Sequence, residues 1–200
     1  MNGPTVMGDR STRSTPGQRL ATAANGLTLL RIVLIPVFAV LVVSSGMTSP
    51  GLRIGAAVAF GIASLTDFAD GFLARAMNQV TKFGQVADPI ADKALTGTAL
   101  VLLSIYDRLP WWVTAVIMGR EIGITLLRFW VIRHGVIPAS RGGKIKTALL
   151  IAAITWYLLP LPEPVAAVGP WLMGLATAVT IATGVDYVVR AVRLRAAARA

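Results

Sequence analysis

The 200-residue chain contains no cysteine, and charged residues make up only 14% of it. Without cysteine there is no disulfide framework, no cysteine-ligated zinc site and no thiol nucleophile, and the redox compartment is left undetermined. Hydrophobic residues, in contrast, make up 55% of the chain, and they occur in long runs. The composition therefore argues against an ordinary soluble domain and is typical of an integral membrane protein.

Acidic residues are also few: nine stand against 19 basic residues, which gives a formal net charge of +10. A charge of this size can indicate nucleic-acid binding. Here, however, the basic residues fall mainly between and beyond the apolar runs and do not form one soluble binding face. We therefore expect no nucleic-acid partner, and we expect the basic residues to orient the chain in a membrane and to contact anionic lipids.

Six apolar runs predict an all-α integral membrane protein with six transmembrane helices. The runs cover residues 27–43, 54–77, 83–106, 111–134, 146–161 and 165–189. If the N-terminus lies inside, the outer loops carry only Arg53 and Arg108 as basic residues, so we expect both termini to be cytoplasmic. Residues 1–20 are polar and basic and predict a disordered tail, which leaves residues 21–200 as the transmembrane domain.

Glycines recur four residues apart around the start of the second run and within the fourth run. The pairs Gly51/Gly55 and Gly119/Gly123 have a spacing that allows helices to approach closely. Packing within the bundle is the expected use of such pairs, and a homodimer is the alternative. Arg31 lies near the start of the first run, where it either extends to the headgroups or points into a polar site.

Four of the nine acidic residues lie within or beside the second and third runs: Asp67, Asp70, Asp88 and Asp92. A carboxylate at membrane depth costs about 3 kcal/mol, so a purely structural role rarely uses four. A short polar turn joins the two runs, which makes their helices antiparallel neighbours whose carboxylates converge near the cytoplasmic end. Converging carboxylates repel one another unless cations bind. Oxygen ligands favour Mg²⁺ or Mn²⁺, and two such ions would clamp a phosphate.

Small side chains accompany the aspartates on the same helix faces. Gly71 and Ala74 follow Asp67 and Asp70 at helical spacing, and Gly84 precedes Asp88 by four residues, so a ligand has room beside the carboxylates. Two other interpretations stay open on the residues alone. The aspartates could form salt bridges inside the membrane with Arg75 and Lys93, or they could form the translocation site of a cation transporter.

Residues 67–92 read Asp-x₂-Asp-Gly-x₂-Ala-Arg-x₈-Gly-x₃-Asp-x₃-Asp. This stretch resembles the signature of the CDP-alcohol phosphatidyltransferase family at every fixed position. The resemblance implies two divalent ions, Mg²⁺ or Mn²⁺, bound by Asp67, Asp70, Asp88 and Asp92. It implies that Asp92 is also the general base for the acceptor hydroxyl. It further implies a CDP pocket formed or bordered by Gly71, Ala74, Arg75 and Gly84.

A second stretch bears on the acceptor alcohol. It reads Arg120-Glu121-Ile, then Leu-Arg128, then Gly-Lys144-x-Lys146-Thr. On the residues alone, Arg120 and Glu121 either neutralise each other or belong to a site for a second phosphate. The stretch resembles the phosphatidylglycerophosphate synthase group of the same family, as does the opening that ends at Arg31. The resemblance implies CDP-diacylglycerol as donor and glycerol 3-phosphate as acceptor. It also implies that the phosphate of glycerol 3-phosphate binds to some of four cationic residues, Arg120, Arg128, Lys144 and Lys146.

One position departs from that group's pattern. Leu150 stands where the pattern usually has glutamine, three residues after the Lys-Thr pair. Other acceptors therefore stay open within the family, namely the glycerol hydroxyl of phosphatidylglycerol, as in a cardiolipin synthase, and an inositol phosphate. The resemblance also implies a multi-pass protein of the cell membrane whose active site faces the cytoplasm.

Overall fold

A computed structural model describes residues 16–77, 82–131 and 141–197 of the chain. These ranges contain helices and no strands, which confirms the all-α prediction for the described part. The helices are α1 Pro16–Ser45, α2 Pro50–Met77, α3 Lys82–Ile105, α4 Trp111–Val131, α5 Arg141–Leu158, α6 Glu163–Ala166 and α7 Gly169–Ala197. Each of the six predicted spans falls largely on one of the six long helices.

The helix boundaries differ from the predicted ones at the start of the chain. α1 begins at Pro16, inside the stretch that the sequence assigned to a disordered tail. A proline suits the first turn of a helix because that position needs no backbone donor. Residues 1–15 lie outside the described residues, so the tail and the boundary at residue 20 stay predictions.

The long helices pack as two groups, and contacts of α2 and α3 with α5 join the groups. α1 contacts α2 and α3, whereas α7 contacts α4 and α5, and α2 and α3 both reach α5. Apolar side chains fill the space between them, and Phe38 of α1 meets Phe60 of α2 with ring centroids 5.6 Å apart. Burial of this kind supplies most of the stability of a helix in a folded chain.

The glycine pairs of the sequence have different surroundings. A Cβ atom added to Gly55 would lie 3.8 Å from the Leu41 side chain, so this glycine packs inside the bundle between α1 and α2. At Gly51, Gly119 and Gly123 an added Cβ atom would meet no described atom within 4 Å. Packing within the bundle is therefore confirmed for one member of the pairs, and the homodimer stays a prediction.

The turns α1–α2, α3–α4 and α5–α6 lie at one end of the bundle, which we call the arginine end because Arg53 and Arg108 join them. Arg53 donates hydrogen bonds to the carbonyl oxygens of Tyr157 (3.1 Å), Leu158 (3.1 Å) and Leu159 (2.7 Å). The last carbonyls of a helix have no partner within it, so Arg53 satisfies the end of α5. Arg108 donates to the carbonyl oxygen of Met47 at 3.1 Å, which ties the α3–α4 turn to the α1–α2 turn.

The α1–α2 turn is a tight reversal with two consecutive residues in the left-handed region. Gly46 has φ 53° and Met47 has φ 55°. A positive φ is easy for glycine but unfavourable for methionine. The side chain of Met47 is buried in the core, and its backbone amide donates to Ser45 Oγ at 3.0 Å. These interactions offset the unfavourable conformation and fix the entry of α2.

Many apolar side chains face outward along the long helices. Trp171, for example, is 82% exposed, and Val40 and Leu65 are also exposed. Within the described residues, one helical stretch, 163–193, is long and apolar enough to cross a membrane on length and composition. Shorter apolar stretches cover 29–45, 50–66 and 93–105. Charged residues such as Arg31 shorten the apolar part of the other helices, so the six spans and their orientation stay predictions.

We expect Arg53→Met to destabilise the protein by about 1–3 kcal/mol, because three carbonyl oxygens at the end of α5 lose a charged donor. Arg108→Met removes the one hydrogen bond to Met47 and should cost less. Thermal unfolding in detergent, followed by circular dichroism, measures both. Equal losses in the two variants would show that the carbonyl contacts of Arg53 do not hold α5.

Candidate functional site

The signature aspartates occupy the facing ends of two helices that are consecutive in the chain. Asp67 and Asp70 lie on the last turns of α2, and Asp88 and Asp92 lie in the first half of α3. Both stretches have helical backbones, and α2 contacts α3. The predicted helical spacing of the aspartates therefore falls on real helices. Their side chains, like all those of residues 67–92, lie outside the described residues, so their convergence and the metal site stay predictions.

The residues predicted to border the CDP pocket lie on the same two helices. Gly71, Ala74 and Arg75 follow the first two aspartates on α2, and Gly84 precedes Asp88 on α3. Residues 78–81, which join the helices, lie outside the described residues. These residues therefore lie on helices as predicted, and the CDP pocket itself stays a prediction.

Arg31 lies on α1, the helix that packs against both aspartate-bearing helices. Its side chain is completely buried, with 0% exposure. Arg31 therefore does not extend to the surface, which leaves the second of the two alternatives from the sequence, a guanidinium inside the bundle. Burial of a cation at such cost is typical of a functional or paired position.

Glu121, on α4, is a carboxylate with two cationic partners. Glu121 Oε1 accepts hydrogen bonds from Arg120 Nη1, at 2.9 Å, and from Lys146 Nζ. Lys146 is only 7% exposed, so its charge is largely removed from solvent. The carboxylate joins α4 to α5 and neutralises one of its two cationic partners, of which Lys146 is buried and Arg120 is partly buried. Without the carboxylate, Lys146 would be a buried cation that has lost its counter-charge.

Arg120 extends this network to α7. Its Nη2 donates to Thr183 Oγ1 at 3.2 Å. The neighbouring residue, Gly184, has no side chain, and a Cβ atom there would lie 3.1 Å from Arg120 Cγ. The absence of a side chain at Gly184 therefore lets the Arg120 side chain lie directly against α7. We call Arg120, Glu121, Lys146 and Thr183 the charge network.

A cavity lies beside the charge network, between α3, α4 and α5. Its polar lining consists of Lys93, Thr96, Glu121, Lys146 and Thr147. Its apolar lining consists of Met118, Leu150 and Ile151. Thr96 follows Asp92 by four residues on α3, so the two positions share a helix face and lie about 6 Å apart along the helix axis. The cavity therefore begins about one turn from the predicted general base.

The four predicted acceptor-binding residues have different surroundings. Arg120 and Lys146 meet at Glu121, so the mutual neutralisation of Arg120 and Glu121 that the sequence left open is present, with Lys146 as a further partner. Lys144 is exposed on the first turn of α5 and does not line the cavity. Arg128 lies on α4, and its side chain is outside the described residues.

Three residues of this region were not predicted from the sequence to belong to the site. The sequence indicated Lys93 only as an alternative salt-bridge partner of the aspartates, although its position directly after Asp92 already placed it beside the predicted site. Thr96 continues the four-residue spacing of the aspartates and could have been found by extending it. Thr183 lies in the last 40 residues, which carry no motif, so nothing in the sequence pointed to it.

Comparison with known proteins identifies the family. The family model described as CDP-alcohol phosphatidyltransferase matches residues 21–182. A probable phosphatidylglycerophosphate synthase of Mycobacterium tuberculosis (strain H37Rv) is 49% identical over 175 residues, which cover 88% of this chain and 84% of the relative.

Two further relatives carry the name CDP-diacylglycerol–glycerol-3-phosphate 3-phosphatidyltransferase. The protein of Bacillus subtilis (strain 168) is 39% identical over 145 residues, covering 68% of this chain and 75% of the relative. The protein of Escherichia coli (strain K12) is 41% identical over 138 residues, covering 66% and 74%. The predicted family resemblance is thus confirmed.

We expect Glu121→Gln to destabilise the protein by about 3 kcal/mol, because Lys146 then stays buried without its carboxylate. Adding Lys146→Met to that variant removes the unpaired charge and should restore part of the loss. Thermal unfolding in detergent measures the difference. Glu163→Gln, which changes an exposed glutamate of α6, serves as the control. A double variant no more stable than Glu121→Gln alone would contradict the buried-pair interpretation.

Proposed function

The chain belongs to the CDP-alcohol phosphatidyltransferase family, and from that membership we propose that it transfers the phosphatidyl group of CDP-diacylglycerol to glycerol 3-phosphate. The products are phosphatidylglycerophosphate and CMP. The observation that carries this proposal is the likeness to relatives named for this reaction, at 39–49% identity over most of both chains. The complete family signature in residues 67–92 supports the reaction class independently.

The donor set of the signature fits two hard divalent cations. Asp67, Asp70, Asp88 and Asp92 offer only carboxylate oxygens, and they stand on two helices that contact each other. Oxygen ligands are those that Mg²⁺ and Mn²⁺ prefer. When bound, such ions would supply positive charge that neutralises the diphosphate of CDP-diacylglycerol.

The chain's own residues account for the remaining steps of the proposed reaction. Asp92 takes the proton from the terminal hydroxyl of the acceptor, and the hydroxyl oxygen attacks the β-phosphorus of CDP-diacylglycerol. A phosphorus–oxygen bond forms there while the bond from that phosphorus to the CMP oxygen breaks. Gly71, Ala74 and Gly84 leave room for the nucleotide, and Arg75 contributes charge beside it.

The proposed acceptor phosphate has a cationic environment around Glu121, beside the cavity between α3, α4 and α5. Lys146 and Arg120 provide two cations around one carboxylate, Glu121. Arg128 and Lys144 belong to the same proposed binding set through the sequence pattern. Leu150 lines the cavity with an apolar side chain, so a glutamine contact is absent there. The cations favour a small phosphorylated acceptor over phosphatidylglycerol.

We propose that the protein spans the cell membrane six times, with both termini and the active site on the cytoplasmic side. Six long helices, exposed apolar side chains and the concentration of basic residues in the predicted inner segments support this arrangement. The turns of the arginine end, held together by Arg53 and Arg108, would then lie outside. A homodimer in the membrane is the alternative use of the glycine pairs, beside packing within the bundle.

Purified protein in detergent, supplied with CDP-diacylglycerol and Mg²⁺, should release CMP when glycerol 3-phosphate is added. Asp92→Asn should lower kcat by about 10²–10⁴-fold, since the general base is lost. A chelator should abolish release. Asp186→Asn, which changes an exposed carboxylate of α7 paired with Arg190, should leave the rate unchanged.

The choice of acceptor decides between the alternatives. Release only with phosphatidylglycerol or with an inositol phosphate would keep the reaction class and overturn glycerol 3-phosphate as acceptor. Absence of release with every acceptor, from protein shown to be folded, would contradict the enzyme proposal. It would favour the transporter alternative that the aspartates left open.

Because the chain contains no cysteine, each single cysteine variant carries one thiol, and labelling of that thiol tests the proposed membrane arrangement. Single variants Thr48→Cys and Glu163→Cys place a thiol on exposed residues of the arginine end. In intact cells both should react with a membrane-impermeant maleimide. Arg193→Cys, on the exposed C-terminal part of α7, should react only after permeabilisation. Labelling of all three thiols from outside would contradict the proposed topology.

A further inference from the structure

We propose that Lys93 is a further acceptor-binding residue, whose ammonium group receives the phosphate of glycerol 3-phosphate together with Lys146. This inference rests on the proposed function and extends it to a residue outside the family signature. Lys93 and Lys146 line one cavity from different helices, α3 and α5. A ligand in that cavity would therefore lie between the two lysines.

The state of the Lys93 side chain fits a binding role. Lys93 is half-buried, and among the residues that the structure describes it has no ion-pair partner. Lys146, in contrast, is already held by Glu121. A lysine ammonium carries three N–H donors, and a side chain on a cavity wall presents donors to an anion bound there. Lys93 thus adds N–H donors to the cavity wall, whereas Glu121 already uses part of the donor capacity of Lys146.

The charge around the cavity also favours an anion. Among the described side chains that line the cavity or pair with its Glu121, three are cations, Lys93, Arg120 and Lys146, and one is a carboxylate. One carboxylate neutralises one cation, so positive charge is in excess within this described set. A phosphate monoester carries about −1.5 to −2 at pH 7, which matches that excess. Because the lining is partly buried, the attraction is screened less than at an open surface.

The apolar part of the lining leaves recognition to these cations. Leu150 is buried and offers no hydrogen bond to a ligand. The hydroxyl of Thr147 already donates to the carbonyl oxygen of Gly143, at 3.1 Å. Lys93 and Lys146 are the charged donors of this lining, and charged donors bind a phosphate more strongly than the threonine hydroxyls do.

The position of Lys93 also suits the length of the acceptor. Lys93 follows Asp92 directly, and Thr96, on the same helix face as Asp92, lines the cavity. One turn of α-helix rises about 5.4 Å, which is comparable to the three-carbon chain of glycerol 3-phosphate. A phosphate held by Lys93 and Lys146 would therefore leave the far hydroxyl of the acceptor near the helix position of the proposed base.

The test compares Michaelis constants in the CMP-release assay with purified full-length protein in detergent. Lys93→Met should raise the KM for glycerol 3-phosphate by about 10- to 100-fold, as expected for the loss of a charged hydrogen bond. The KM for CDP-diacylglycerol should change little. Lys93→Arg, which keeps the charge, should restore much of the acceptor affinity. Arg190→Met removes an exposed cation of α7 outside the cavity and should leave both constants unchanged.

The outcomes separate this inference from the proposed function. If the unmodified protein releases no CMP with glycerol 3-phosphate, the proposed function fails, and the inference fails with it. If the unmodified protein is active and Lys93→Met leaves the acceptor KM unchanged, Lys93 has no binding role. An increase confined to the KM for CDP-diacylglycerol would likewise overturn the inference.

A folding defect is distinguished by a second variant and a second measurement. Lys93→Gln retains hydrogen-bonding capacity without charge and should also raise the acceptor KM. Thermal unfolding in detergent is measured for each variant. Loss of stability in both neutral variants, with both KM values raised together, would show a structural role and overturn the inference.

Discussion

The carboxylate of Glu121 is the interaction on which the inner arrangement of the helices depends. It lies between a cation of its own helix and a cation of α5, and through Arg120 it reaches Thr183 of α7. Removing charges from water is costly, and only mutual pairing with good hydrogen bonds offsets that cost. The positions of α4, α5 and α7 are therefore linked at one point, directly beside the cavity.

Two types of polar contact hold the bundle together, one at the arginine end and one beside the cavity, and they differ in kind. At the arginine end, Arg53 and Arg108 bind backbone carbonyl oxygens, which carry only partial charge. Beside the cavity, side chains of opposite full charge pair with one another. The first type satisfies helix ends and turns through the N–H donors of the guanidinium groups. In the second, cations outnumber carboxylates among the described side chains, which suits the proposed phosphate site.

Much of the fold could be predicted because helices of this length leave clear apolar runs. The signature aspartates could be placed on α2 and α3 because their spacing follows the helical period. The partners of Arg53 could not be predicted, since its acceptors lie more than 100 residues away and are backbone atoms without a sequence signal. Thr183 was missed for a similar reason: one threonine on an apolar helix has no pattern that distinguishes it.

The acceptor region was predicted only in part. Sequence reasoning selected Arg120 and Lys146 by resemblance, but it could not decide whether Arg120 was paired with Glu121 or free. The partners of Arg120 and Glu121 depend on how α5 and α7 approach α4, which no local pattern contains. The role inferred for Lys93 depends in the same way on three helices enclosing one cavity.

The contact of Arg53 with the end of α5 has a mechanical consequence for the far end of that helix. Leu158 and Lys146 are separated by twelve residues of continuous helix, or about 18 Å. Over that length, a tilt of about 5° at the fastened end moves the opposite end by about 1.5 Å, and displacements of this order are enough to impair catalysis by about 10²-fold. The helix acts as a rigid lever, so a change at the arginine end would displace Lys146 at the proposed acceptor site.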